Sequence, residues 1–309
     1  MKTLYALTMW IFLLGSVATG QQNIESAPKP TGPYLGQQPP GMNPEIFAPG
    51  IVSTADFEHS KLEFTADGST CYWAAQPAGN ESGSLTQKIW FVTKHDNAWA
   101  RPQQLPVDQV GSRSATVYPL TEDIIYIGSD DKLATEAHSL KYDVYRIDKA
   151  HKTVEKITDK FPMLKTCWSF SFAKNGNLYY DKSEGETFNI YCSEYDNGVY
   201  AEPQKLNSSI NDGNTSVHPF VSPDESCLIF CSFRPGGQGI ADLYISFRQK
   251  DGTWSDALNM GDTINTEMLE RFPSVSPDGK YLFFTRNKGE ISDFYWVNAG
   301  IIEKLRPPK

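Results

Sequence analysis

The stretch RFPSVSPDGKYLFFTRNKGEISDFYWV, residues 271–297, decides the fold. It reads as three short strands. Residues 272–275 lead into the turn Ser276-Pro277-Asp278-Gly279, a second strand runs over residues 280–285 to Arg286, and residues 293–297 close the unit. Pro at the second turn position presets φ and Gly at the last accepts φ > 0, so SPDG between apolar runs predicts a hairpin.

Imperfect copies recur along the chain. One has the turn Ser222-Pro223-Asp224-Glu225 followed by Asp242-Leu243-Tyr244, and another has Thr65-Ala66-Asp67-Gly68 before Trp90. A third carries Lys174-Asn175-Gly176 before Tyr191. The copy around Thr121-Glu122-Asp123 and Tyr145 lacks both the Pro and the Gly. The aromatic landmarks Trp90, Tyr145, Tyr191, Tyr244 and Tyr295 are separated by 55, 46, 53 and 51 residues. A period near fifty with several strands per unit predicts an all-β fold, a β-propeller of four-stranded antiparallel blades. Five blades are counted, with six as the alternative. A fourth strand is expected after each of the turns Asp96-Asn97, Asp196-Asn197-Gly198 and Asp251-Gly252, beginning at Trp99, Tyr200 and Trp254. The last unit lacks such a strand, whereas Ile46-Phe47-Ala48-Pro49 stands alone before the first unit. The N-terminal segment is therefore expected to supply the outermost strand of the last blade, which hides sheet edges.

SPDG-x-x-L-x-F-T-R followed by Asp-φ-Tyr, as it stands at residues 276–286 with Asp293-Phe294-Tyr295, resembles the TolB-type β-propeller repeat of bacterial periplasmic proteins. The copy at residues 222–234 with Asp242-Leu243-Tyr244 resembles it too. The resemblance covers roughly residues 45–298 and implies the fold. It implies little about activity, because such blades serve scaffolds, carbohydrate-active enzymes and peptidase gates.

Domain organisation follows from composition. Residues 1–20 read as a cleavable signal peptide: Lys2, an apolar run over residues 4–14, and small residues at Ala18-Thr19-Gly20. The run is too short for a confident membrane span. Residues 21–43, rich in Pro, Gln and Gly, read as an extended linker or surface-lying arm. Residues 44–309 read as a single propeller domain. The expected location is periplasmic or extracellular, and the mature chain is expected to be a monomer with no membrane span.

The formal net charge of −9 and the scatter of Lys and Arg argue against a nucleic-acid partner. Five Cys, an odd count, sit mostly inside apolar strand patterns, where thiols behave as small hydrophobes. Cys227 and Cys231 are four apart on one strand face, roughly 13 Å at 3.3 Å per residue, too far to bridge. No metal-ligand cluster, nucleophile elbow or catalytic residue is identified, and no cofactor is expected. Gly237-x-Gly239-x-x-Asp242 joins two strands, so it reads as a hairpin loop, not a phosphate loop. Asp67, Asp224 and Asp278 are expected to satisfy turn N–H groups.

Propeller ligands bind where blades converge on the axis, so the starts of the innermost strands are the candidate site. Those positions read Glu58-His59, Arg113, Cys167-Trp168, Val217-His218 and Glu270-Arg271, with Arg234 and Arg286 at the ends of second strands. His59, Trp168, His218, Arg234 and Arg271 are the candidate ligand-binding residues. The expected function is a secreted or periplasmic binding or scaffold protein recognising a polar ligand, a glycan or a protein partner at one mouth. The alternative is a carbohydrate-active enzyme using Glu58, Asp212 or Glu270 across the funnel. A subunit of an envelope complex is a third reading.

Overall fold

A computed structural model describes residues 29–78, 87–107, 116–130 and 142–307. The expected signal peptide and Arg113 lie outside these residues. Five four-stranded antiparallel sheets follow one another along the chain, and the fold is a five-bladed β-propeller.

Blade one pairs two short inner strands, Phe57–Glu58 and Glu63–Phe64, with Thr70–Gln76, followed by Lys88–His95 and Gln103–Gln104. Blade two is Thr116–Pro119, Ile124–Asp130, Tyr142–Asp148 and Thr153–Lys156. Blade three is Phe170–Phe172, Leu178–Glu184, Thr187–Ser193 and Gln204–Lys205. Blade four is Ser216–Val221, Cys227–Ser232, Asp242–Phe247 and Leu258–Asn259. In blade five, Leu269–Val275, Tyr281–Lys288 and Ile291–Asn298 are joined by Glu45–Ile46 from the N-terminal segment, with Glu45 opposite Trp296 and Ile46 opposite Tyr295.

The ring is thus closed by chain ends hydrogen-bonded to each other, as expected. Phe47 extends the pairing, its N–H donating to the Phe294 carbonyl at 2.8 Å. Its fully buried ring sits edge-on to Phe283 and Trp296, both 5.1 Å away between centroids. Just beyond this strand Val52 is fully buried, while Ile51 is half-buried.

One expectation needs correction. The residues after the tight turns form short hairpins first: Ala98–Trp99 folds back on Lys94 and His95, and Val199–Tyr200 on Tyr195–Asp196. The outermost strands begin only at Gln103, Gln204 and Leu258, because Pro102 and Pro203 cannot donate to a ladder. The segment over residues 29–43 lies against the propeller, which suits the surface-lying arm of the two readings. Trp99 donates from its indole to Gly32 O at 2.8 Å, Gly41 O accepts from the Asn298 N–H at 3.0 Å, and Leu35 is buried.

The turn aspartates behave as expected. Asp67, Asp224 and Asp278 each accept the backbone N–H two residues on, at 3.0, 3.0 and 3.2 Å. The crossing loops into blades four and five are held alike. Asn211 and Asn265 each accept from and donate to one third-strand backbone, at Ile190 and Leu243, while Ile210 and Ile264 are fully buried beside them. All five Cys are free and buried. Among the described residues, no helix is long and apolar enough to cross a membrane.

Candidate functional site

Proline removes a ladder donor, so within a sheet it stands on an edge strand or at a bulge. His218-Pro219 in blade four and Phe272-Pro273 in blade five put it there at matching positions. Both strands respond with a bulge. Pairing shifts register between Val217 and Phe220, and again between Arg271 and Ser274. His218 and Phe272 take φ of 55° and 54°, a left-handed conformation costing on the order of 1–3 kcal/mol for a side-chain-bearing residue. These bulges re-aim the two rings towards the axis.

There they meet residues from blades one and three. A cavity of about 120 Å3 is lined by His59, Trp168, His218, Phe233, Arg271 and Phe272. His218 lies 3.8 Å from Phe272 between ring centroids, and His59 meets Phe272 edge-on at 5.0 Å. Trp168 stacks on Phe188 at 3.9 Å and faces His218 at 6.4 Å. Four of the five candidate residues are therefore brought together.

Arg234 stands apart. Its guanidinium donates to the carbonyls of Ser209 and Ile210, both at 2.9 Å, pairs with Asp212 at 3.4 Å, and lies 4.4 Å from the Tyr244 ring centroid. Arg286 repeats this role one blade on, bonded to Glu270 and the Ile264 carbonyl, both at 2.8 Å.

Charge in the cavity is positive. Among the described residues Arg271 has no carboxylate partner, and its buried Nε meets no acceptor. His218 is 3 % exposed, and its Nδ1 likewise has no partner. Burial, then the charge of Arg271, holds His59 down to about 3 and His218 well below the usual imidazole range. Both rings are thus neutral at neutral pH, and Arg271 carries the charge. Arg271 is half-buried, and leaving its buried Nε without an acceptor costs free energy.

Beneath the cavity lie two residues with no place in the sequence reading. Lys61, 1 % exposed, donates to the carbonyls of Phe170 at 2.9 Å and Pro219 at 2.5 Å. Asp181, fully buried, accepts the N–H groups of Trp168 (2.5 Å), Ser169 (3.0 Å) and His218 (2.9 Å). Asp181 therefore positions the backbones of two cavity residues in different blades. Burial raises its carboxyl to about 6, although those N–H groups and Lys61 oppose the rise. Burial lowers the Lys61 ammonium to about 8.

The acids considered for hydrolytic chemistry are occupied elsewhere. Glu58 accepts the N–H and hydroxyl of Thr54, and Glu270 does the same with Thr266 while pairing with Arg286. Asp212 accepts the Asn214 N–H at 3.1 Å and pairs with Arg234. Each carboxylate fixes a crossing loop. Among the described residues, no three His, Cys, Asp or Glu are grouped as metal ligands.

Solved structures repeat this architecture. The chain is similar to the endo-arabinase from Bacteroides thetaiotaomicron, with 13% identity, 80% of this chain and 96% of that one covered, and a TM-score of 0.53. It is similar to the exo-β-1,3-galactanase 1,3Gal43A from Clostridium thermocellum, with 12% identity, 83% and 61% covered, and a TM-score of 0.50. A TolB candidate from Agrobacterium tumefaciens aligns at 16% identity over 76% of this chain and 72% of its own, with a TM-score of 0.46. At these identities the likeness is one of fold. No protein-family model matches the chain, and no curated protein matches it.

Proposed function

We propose that this protein is an exported binding module, periplasmic or extracellular, that captures a polar anionic ligand at the mouth where Arg271, His218, His59 and Trp168 converge. The observation that carries the reading is Arg271 itself. Among the described residues, a guanidinium with no acid partner and a neutral imidazole nitrogen with no hydrogen-bond partner line one small cavity. Arginine presents a planar fork suited to carboxylate or phosphate, and water exclusion strengthens such a contact. The two strained bulges support a functional role, because such backbone persists where surrounding structure enforces it. The ligand is a free small molecule or an acidic group on a protein partner, and the module acts as a monomer.

The test is a thermal-shift series on the full chain with acetate, glucuronate and inorganic phosphate. A ligand at a hundred times its dissociation constant adds about 2.7 kcal/mol of stability. A shift present in wild type and lost in Arg271→Gln and Trp168→Ala supports the reading. Equal shifts in wild type and Arg271→Gln sink it.

A further inference from the structure

The cavity is not isolated. Trp168 and Phe233 also wall a second space of about 410 Å3, which continues outward between residues 186–188 of blade three and residues 213–215 leading into blade four. We infer that the two spaces form one site for a short zwitterionic peptide, its C-terminal carboxylate against Arg271 and its N-terminal ammonium towards Glu186. This rests on the anion-binding reading above and deepens it.

Size argues first. Small-molecule sites span roughly 300–1,000 Å3, so the inner cavity alone is too small and admits only the head of a ligand whose body lies in the groove. Charge argues second. Arg271 stands at the inner end, and among the described residues Glu186, exposed, is the one charged residue lining the groove. A ligand complementary to both ends is negative at its head and positive at its tail. A polyanion such as an oligouronate would carry further carboxylates past Glu186, at a repulsive cost. Ring geometry argues third. A sugar-stacking platform needs a free aromatic face, but Phe188 stacks on Trp168 at 3.9 Å and His218 lies near-parallel to it at 6.4 Å. Thr187, Asn214 and Thr215 supply the hydroxyl and amide groups that suit a row of peptide bonds.

Isothermal titration calorimetry with tri-alanine, its C-terminal amide, its N-acetyl derivative and glucuronate tests this on wild type, Arg271→Gln, Arg271→Lys and Glu186→Gln. Tri-alanine is expected to bind wild type, the amide at least ten-fold more weakly. Arg271→Gln abolishes the preference for the acid over the amide, and Arg271→Lys keeps part of it. N-acetylation weakens binding a few-fold in wild type and not in Glu186→Gln, whose exposed side chain leaves folding untouched. Equal affinity for acid and amide, or an acetylation effect unchanged in Glu186→Gln, overturns the inference. Glucuronate binding without tri-alanine binding overturns it while leaving the anion site standing. No binding of either carboxylate overturns both.

Discussion

Lys61 Nζ donates to the carbonyl of Pro219 at 2.5 Å, joining blade one to blade four across the axis. The same ammonium holds the Phe170 carbonyl of blade three at 2.9 Å. In a ring of five, blade one touches neither of these blades along its sides. Lys61 is therefore a cross-brace beneath the cavity, and the bulge at His218-Pro219 presents one of the carbonyls it holds.

Lys61→Met removes the brace without changing the length of the stem. Two buried carbonyls lose their donor, at about 1–3 kcal/mol each. The variant is expected to unfold at lower urea concentration with an unchanged slope. A midpoint equal to wild type would show that the ammonium contributes nothing net.

Glu58 predicts a pH dependence. Burial raises its carboxyl from 4.5 to about 8, and its buried Oε2 has no hydrogen-bond partner among the described residues. Between those values the unfolded chain is ionised while the folded chain keeps its proton, so the folded state binds more protons and stability falls as pH rises. One pKa unit is worth about 1.4 kcal/mol, so the loss across this window is on the order of 4–5 kcal/mol. Glu58→Gln keeps an acceptor for Thr54 and carries no titration. The Tm of wild type relative to Glu58→Gln is expected to drop from pH 5 to pH 8. A constant difference across that range would refute the assignment.

Ring closure predicts a loss of cooperativity. Deleting residues 44–53 removes the strand Glu45–Ile46 and the buried side chains Phe47 and Val52. Urea unfolding followed by fluorescence and by circular dichroism is expected to give non-coincident transitions. Phe47→Ala alone is expected to cost about 3–5 kcal/mol. A truncated chain that melts like the full one would contradict the closure.

Arg234 separates structure from binding. Its two carbonyl contacts and its stacking on Tyr244 hold the loop entering blade four. Arg234→Ala is expected to destabilise by about 2 kcal/mol through the unpaired carbonyls, while acetate binding per folded molecule stays unchanged. Lost binding at full stability would move Arg234 into the site.

The blades were legible because turn chemistry and strand alternation are local. SPDG at residues 276–279 specifies a turn wherever it stands, and the lone strand before residue 50 could be matched to the blade missing one. The convergence of His59, Trp168, His218 and Arg271 followed from repeat position, since equivalent points on inner strands meet at one mouth. What stayed hidden was long-range. Lys61 and Asp181 reach residues that are 158 and 37 positions distant, and no spacing rule links them. Phe233 and Phe272 read as ordinary strand aromatics. One signal was available and unused: Pro219 and Pro273, at matching places within inner strands, mark the bulges that build the cavity. Arg234 was grouped with the site because its strand end faces a mouth, but side-chain direction is set by the loop carbonyls it serves.

Whether Arg271 holds an anion at the axial mouth is decided by calorimetric titration of acetate into wild type and Arg271→Gln, at low and at moderate salt. Binding is expected in wild type, weakening with salt, and is expected to vanish in the variant, with both proteins folded. Acetate binding of equal strength in the two proteins would contradict an anion site at Arg271.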